Sequence, residues 1–234
     1  MAQLRGMDGV ANGMVSSEIG ASAVAEKSNN TSSRERIILA AKHLFARNGY
    51  ENASTVAIAR QAGTSESQLM KHFGSKQGLL SAILDRGWAA ILQRVESLRG
   101  NVSPADKLLA MLDAIVVELE NDQELKELMT LESRRVRKDS HDVVLSHGYR
   151  QFIELCDGLL SEMRHQEQVR PDVNLEALRT ALMGMVEGLL RDQVVAKRSD
   201  LRAGYSFDDV RNLLHVLGPA LIGKSAAPVK SANG

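Results

Sequence analysis

The stretch Thr55–Lys76, TVAIARQAGTSESQLMKHFGSK, decides how this chain is read. It divides into two short helices around a tight turn: a first helix over Thr55–Ala62, a turn at Gly63-Thr64-Ser65, and a second helix from Glu66. Ser65-x-x-Gln68 has the form of a capping box, which satisfies orphan N–H groups at a helix start. Gly63 stands where a positive φ is needed to leave one helix and enter the next. Leu69 and Phe73 are four apart, share a face and dock inward, which turns Ser67, Gln68, Lys71 and His72 outward. A short outward face of hydroxyl, amide, ammonium and imidazole groups suits base edges and phosphates in a major groove. Taken alone, the stretch is equally an ordinary helical hairpin with a solvated polar face.

The flanks favour the DNA reading. Upstream, Ser32-x-x-Glu35 is a second capping box, and Ile37, Ala41, Leu44 and Phe45 fall on one face of a helix that Asn48-Gly49 ends. Downstream, Ser75 is the expected N-cap of a long helix from Lys76 to about Arg99, with Leu80, Ile83, Leu84, Trp88, Ile91, Val95 and Leu98 along it. Lys76 then sits in a first turn, where the macrodipole disfavours a cation, an arrangement that makes sense around a phosphate.

From about residue 31 to 91 the chain resembles the N-terminal DNA-binding domain of the TetR family of transcriptional regulators. The resemblance rests on Ile37, Ala40, Ala41, Leu44, Phe45, Gly49 and Tyr50, then Thr55, Ile58, Ala59, Ala62, Gly63 and Ser65, then Leu69, Phe73, Ser75, Lys76, Leu79 and Leu80. It departs from the family at Met70, where a phosphate-contacting tyrosine is usual, and at Glu66, where a basic or neutral residue is frequent. The candidate DNA-contacting residues are Thr55, Thr64, Ser65, Ser67, Gln68, Lys71, His72 and Lys76.

Composition agrees with an all-α chain. It has 234 residues, 44% apolar but only 3% aromatic, so the core is built from Leu, Ile, Val, Ala and Met. Its net charge is zero, yet Arg34–Leu80 holds seven Lys or Arg against three Glu. A basic module on a mildly acidic body is the electrostatic footprint of a DNA-binding head. A single cysteine, Cys156, excludes an internal disulfide and reads as a small core residue. With no membrane-length apolar run and no signal-peptide core, a cytoplasmic location is expected.

The remaining elements are expected in order. Residues 1–30 are expected to form a disordered tail, 31–91 the helix-turn-helix domain, 92–223 a helical ligand-binding and dimerisation body and 224–234 a second disordered tail. Ser103-Pro104-Ala105-Asp106 starts a body helix that Asn121-Asp122 breaks. Helices then follow over about Gln123–Lys138 and His141–Gln166, the basic run Arg134–Lys138 read as cations at a helix C-terminus. The last two helices span about Leu175–Lys197 and Phe207–Ile222; the resemblance implies that they pair with those of a second subunit. A single recognition helix reads half a site, so a homodimer on a palindromic operator in double-stranded DNA is expected.

The resemblance also implies a small-molecule effector in the body. The candidates are Met111, Met129, Arg134, His147, Phe152, Met183 and Glu187, with Tyr149 and Met163 nearby in sequence pattern. Flexible thioethers suit a plastic apolar pocket, although methionines also fill irregular core. No His, Asp and Glu set has metal-ligand spacing, and there is no nucleophile–base pair or phosphate loop, so neither cofactor, metal nor enzyme activity is expected. The competing reading is a helical protein-interaction module that has lost DNA binding, motivated by Met70, Glu66 and the zero net charge.

Overall fold

The computed structural model describes residues 32–98, 102–132, 136–137, 140–143, 145–199 and 204–222. The two expected tails and Arg134 lie outside these residues. The chain is all-α in its layers. Four elements form the head: α1 (Ser33–Asn48), α2 (Thr55–Gln61), α3 (Glu66–Phe73) and the start of α4 (Lys76–Glu96). The body adds α5 (Pro104–Asn121), α6 (Gln123–Glu127), α7 (His147–His165), α8 (Leu175–Arg198) and α9 (Phe207–Ile222).

Serine caps set most of these starts. The hydroxyls of Ser32, Ser54, Ser65, Ser75, Ser103 and Ser146 each accept the N–H three residues on, which satisfies one of the donors a helix leaves unpaired. At α9 the cap is reciprocal: Ser206 Oγ accepts the Asp209 N–H at 3.2 Å, and Asp209 Oδ2 accepts the Ser206 N–H at 2.7 Å. Gly49, Gly63 and Gly74 end α1, α2 and α3 with φ of +79°, +63° and +72°, a region that favours glycine.

Two expected helices differ from what is observed. The helix expected to run from Gln123 to Lys138 stops being α-helical after Glu127 and continues as a π-helical turn, Leu128–Glu132. The chain then forms a two-stranded antiparallel ribbon, β1 (Val136–Arg137) with β2 (Ser140–Val143), Val136 standing opposite Val143. Arg137 therefore lies in a strand, and the helix-end explanation of the basic run does not hold for it. The helix expected from His141 begins six residues later, at His147, because the ribbon takes the intervening chain and Ser146 supplies the cap.

A single buried cluster runs from Ile37 in α1 to Leu214 in α9, so head and body share one core. At about 1.5–3 kcal/mol per fully buried large aliphatic or aromatic side chain, this cluster dominates the stabilisation. Helix α4 is its spine and packs on α5 and α7. Two glycines permit the close approach. A Cβ on Gly148 would stand 2.6 Å from Trp88 Cβ, and one on Gly87 would stand 2.7 Å from Leu125 Cδ2. The Gly148 N–H also donates to Asp85 Oδ1 at 2.7 Å.

Candidate functional site

The helix-turn-helix is built as its caps require. Ser54 starts α2, Gly63 turns the chain, and Ser65 starts α3. Leu69 is fully buried and Phe73 packs against the core, so the opposite side of α3 faces out. Glu66, Ser67, Met70, Lys71 and His72 are exposed, while Gln68 and Thr64 are half-buried. Met70, at 41% exposure, therefore shares the outward face with Ser67 and Lys71. Val56 of α2 is also exposed. Apolar groups on such a face can contact thymine methyls.

Three pairings of the head were not legible in the sequence. The Thr55 hydroxyl donates to the Glu66 carboxylate across the turn, which gives that negative charge a partner inside the motif. Lys76 Nζ donates to the Glu51 carbonyl at 3.1 Å and lies 4.4 Å from the centre of the Tyr50 ring. Its ammonium thus braces the α1–α2 loop against the start of α4. Arg36 Nε donates to the Ala62 carbonyl at 3.1 Å, tying α1 to the end of α2. Arg47, Arg60 and Lys71 are exposed cations of the same head.

The body contains an apolar cavity between α4, α5, α7, α8 and the π turn. It is lined by Leu84, Trp88, Ile115, Leu119, Met129, Thr130, Leu145, Ser146, Tyr149, Met183, Val186, Glu187 and Leu190. It is a narrow slot with a volume of about 60 Å³. Trp88 anchors the wall, with its ring 5.2 Å from that of Tyr149 and 4.9 Å from that of Phe152.

Of the residues expected at an effector site, Met129, Met183 and Glu187 stand on the wall. Met111 and Phe152 are fully buried in the core behind it, and Met163 is buried away from it. His147 is exposed at the first turn of α7 and is not on the wall, because the late start of that helix puts it at the surface. The sequence marks Trp88 only as a core residue of the linking helix. A tryptophan in a core stripe gives no sign of which side it opens on.

Two buried titratable groups lie off the cavity wall. Burial, with Asp157 beside it, pushes the Cys156 thiol up to about 12. Burial and the nearby Lys197 hold Lys126 below the usual lysine range, with its Nζ 4.5 Å from the Phe207 ring centre. No group of three or more metal-ligating side chains occurs among the described residues. No described helix is long and apolar enough to cross a membrane.

Comparison with known proteins agrees with this geometry. The family model described as bacterial regulatory proteins, tetR family, matches residues 37–83. The HTH-type transcriptional repressor AcnR of Corynebacterium glutamicum is 31% identical over 170 residues, 71% of this chain and 85% of its own length. Among solved structures, the regulator FadR from Bacillus subtilis in complex with stearoyl-CoA superposes with a TM-score of 0.65 at 19% identity, over 80% of this chain and 96% of its own. NalD, the secondary repressor of the MexAB-OprM multidrug efflux pump in Pseudomonas aeruginosa, gives 0.60 at 21% identity, over 87% of this chain and all of its own. A helix-turn-helix with an outward polar face, on a helical body, in a chain so related to AcnR, identifies a DNA-binding transcriptional regulator of the tetR family.

Proposed function

We propose that the chain is a repressor that binds a palindromic operator as a homodimer and is released by a small molecule held in the body cavity. In this reading residues 31–91 act as the DNA-binding domain, and 92–223 sense the effector and dimerise. The observation that carries it is the course of α4. One 21-residue helix, about 31 Å long, begins against the helix-turn-helix at Lys76 and lines the cavity with Leu84 and Trp88. A ligand that widened the slot would push on this helix and change the spacing of the two recognition helices. Stearoyl-CoA in a structural relative and repression by AcnR support an effector-gated repressor.

Dimerisation through α8 and α9 is supported by their exposed side chains. Val195, Leu213, Val216 and Leu217 leave apolar surface open, Val216 at 68% exposure. Gly184 and Gly188 have open space where a Cβ would stand, which lets a partner helix approach closely. The protein would act in the cytoplasm, where its DNA is.

A ligand acts only through differential affinity for the bound and released states. A hundredfold preference for the released state corresponds to about 2.7 kcal/mol, and DNA must weaken ligand binding by the same factor. The test has two stages. Genomic fragments retained by the protein are sequenced to define the operator, and a molecule that raises the thermal midpoint is then titrated with and without it. A selected site lacking internal symmetry would count against the dimer, and equal ligand affinity in both titrations would count against gating.

A further inference from the structure

Among the described residues of the helix-turn-helix, two large apolar side chains stand exposed, Val56 in α2 at 50% and Met70 in α3 at 41%. Single exposed apolar side chains are ordinary on a protein surface. Met70 differs in its neighbours. It follows Ser67 by three residues and adjoins Lys71, and the three share the side of α3 turned away from buried Leu69. One turn earlier, at i−4, is Glu66, whose carboxylate accepts the Thr55 hydroxyl. The main chain at Met70 is fixed, because its carbonyl accepts the Gly74 N–H at 2.8 Å where α3 ends.

Met70 thus stands on the face that DNA covers in a regulator of this family. A thioether carries no charge and is only a weak acceptor, so it gains little from phosphate oxygens or base amino groups. The apolar group that base edges present in the major groove is the C5-methyl of thymine. An unbranched side chain with three rotatable bonds can follow that methyl, and its sulfur is polarizable.

We propose that Met70 reads a thymine through its C5-methyl and so fixes one position of the target for each recognition helix. The assignment rests on DNA binding by the tetR family and is independent of the homodimer and of the effector. Thymine and uracil offer the same hydrogen-bonding edge and differ only in that methyl, so Met70 discriminates where hydrogen bonds cannot. The competing place for the side chain is a deoxyribose, which is also apolar but carries no sequence information. The flank of α3 that holds Met70 bears the Glu66 carboxylate and no Lys or Arg one turn to either side. It is therefore ill suited to close contact with the phosphodiester chain.

The full-length protein is used to select duplexes from a randomised library, and the preferred duplex is resynthesised with each thymine replaced in turn by deoxyuridine. At one thymine per recognition helix the replacement should weaken binding about fourfold, the contribution of one buried methyl. Met70→Ala should weaken the parent duplex by a similar factor and make that replacement neutral. It should leave the log–log salt slope unchanged, since no phosphate contact is lost, and the unfolding midpoint unchanged, since the side chain is exposed. Met70→Leu should keep part of the discrimination, and Val56→Ala should keep all of it. Deoxyuridine sensitivity that persists in Met70→Ala arises from another side chain or from duplex shape, and would overturn the proposal. Met70→Ala that weakens every duplex alike, with no thymine affected, would assign the sugar contact instead. A variant that binds as the parent does, or a selection that returns no preferred sequence, would also overturn it. An asymmetric selected site with one thymine that depends on Met70 would sink the homodimer and leave this assignment.

Discussion

Lys42 Nζ in α1 lies 2.5 Å from Asp122 Oδ2 at the start of α6, and this pair fixes the head to the body. Beside it His43 Nδ1 is 2.7 Å from Glu124 Oε1. Arg198 at the end of α8 reaches both Glu127 and the Ala46 carbonyl, the latter at 2.9 Å. Asp122 serves twice, since its Oδ1 accepts the Leu125 N–H at 3.0 Å as the α6 cap. With side chains 19% and 28% exposed, the Lys42–Asp122 pair is partly screened. Lys42→Met should therefore lower stability by only about 0.5–1 kcal/mol in urea unfolding, and a double-mutant cycle with Asp122→Asn, which keeps a capping oxygen, should return most of that as coupling. The coupling should shrink in 1 M salt, where screening acts within about 3 Å.

The Thr55–Glu66 bond makes a prediction about DNA. Thr55→Val removes the donor and leaves the carboxylate unpartnered beside the phosphates, so affinity for duplexes of any sequence should fall. Thr55→Val combined with Glu66→Gln should recover most of the loss. A loss that persists in the double variant would mean that Thr55 itself touches the DNA.

Lys71→Ala and Gln68→Ala should relax sequence preference by about 1–3 kcal/mol at particular operator positions. Lys76→Ala should instead weaken all sequences alike. If each Lys76 of a dimer neutralises one phosphate, the log–log salt slope should fall by roughly 1.8. Because Lys76 also braces Tyr50 and Glu51, the same variant should lower the unfolding midpoint, which Lys71→Ala should not. An altered sequence preference with an unchanged slope would reverse the roles of Lys71 and Lys76.

Gly148→Ala and Gly87→Ala rank the two close approaches on α4. The first sets a Cβ 2.6 Å from Trp88 Cβ and 3.3 Å from the Asp85 carbonyl, neither at the end of a flexible chain. A cost of about 1–3 kcal/mol and a shifted Trp88 emission are expected. The second meets the tip of the Leu125 side chain, which can turn aside, so it should cost less.

Cys156 should resist thiol reagents in the native protein. Its thiol is buried and held near 12, so at pH 8 almost no thiolate forms, and modification should proceed only as fast as the chain opens. Native-state labelling that outpaces unfolding would contradict this burial.

The helix-turn-helix was readable because local chemistry specifies it. Ser65, Gly63, Leu69 and Phe73 act within one or two turns of where they stand, and the same holds for the caps at Ser32, Ser75 and Ser103. The stretch after Gln123 was not readable, because Glu, Leu, Lys and Met suit an α-helix and nothing local forbids one. What changes it is tertiary: Leu125 docks at Gly87, Leu128 and Met129 are buried, and the Thr130 hydroxyl turns back to the Lys126 carbonyl at 2.7 Å. Ser146 has no acidic residue three positions on, so it lacked the usual signature of a cap. For the cavity, composition pointed to methionines in the body. It could not separate Met129 and Met183 on the wall from Met111 behind it, since all four-residue stripes look alike until helices are packed.

The five residues of α6 span only about 7.5 Å. One end holds the head's ion pairs, and the π turn that continues the other supplies Met129 and Thr130 to the cavity. Head and body are consequently not exchangeable modules. A chimera that carried this head onto a related body would meet it through Lys42, His43 and the Ala46 carbonyl, and would need Asp122, Glu124 and Arg198 to come along. Reporter circuits built by such swaps should inherit their response from this seam, and grafts cut at the start of α4 would bind DNA yet ignore the effector.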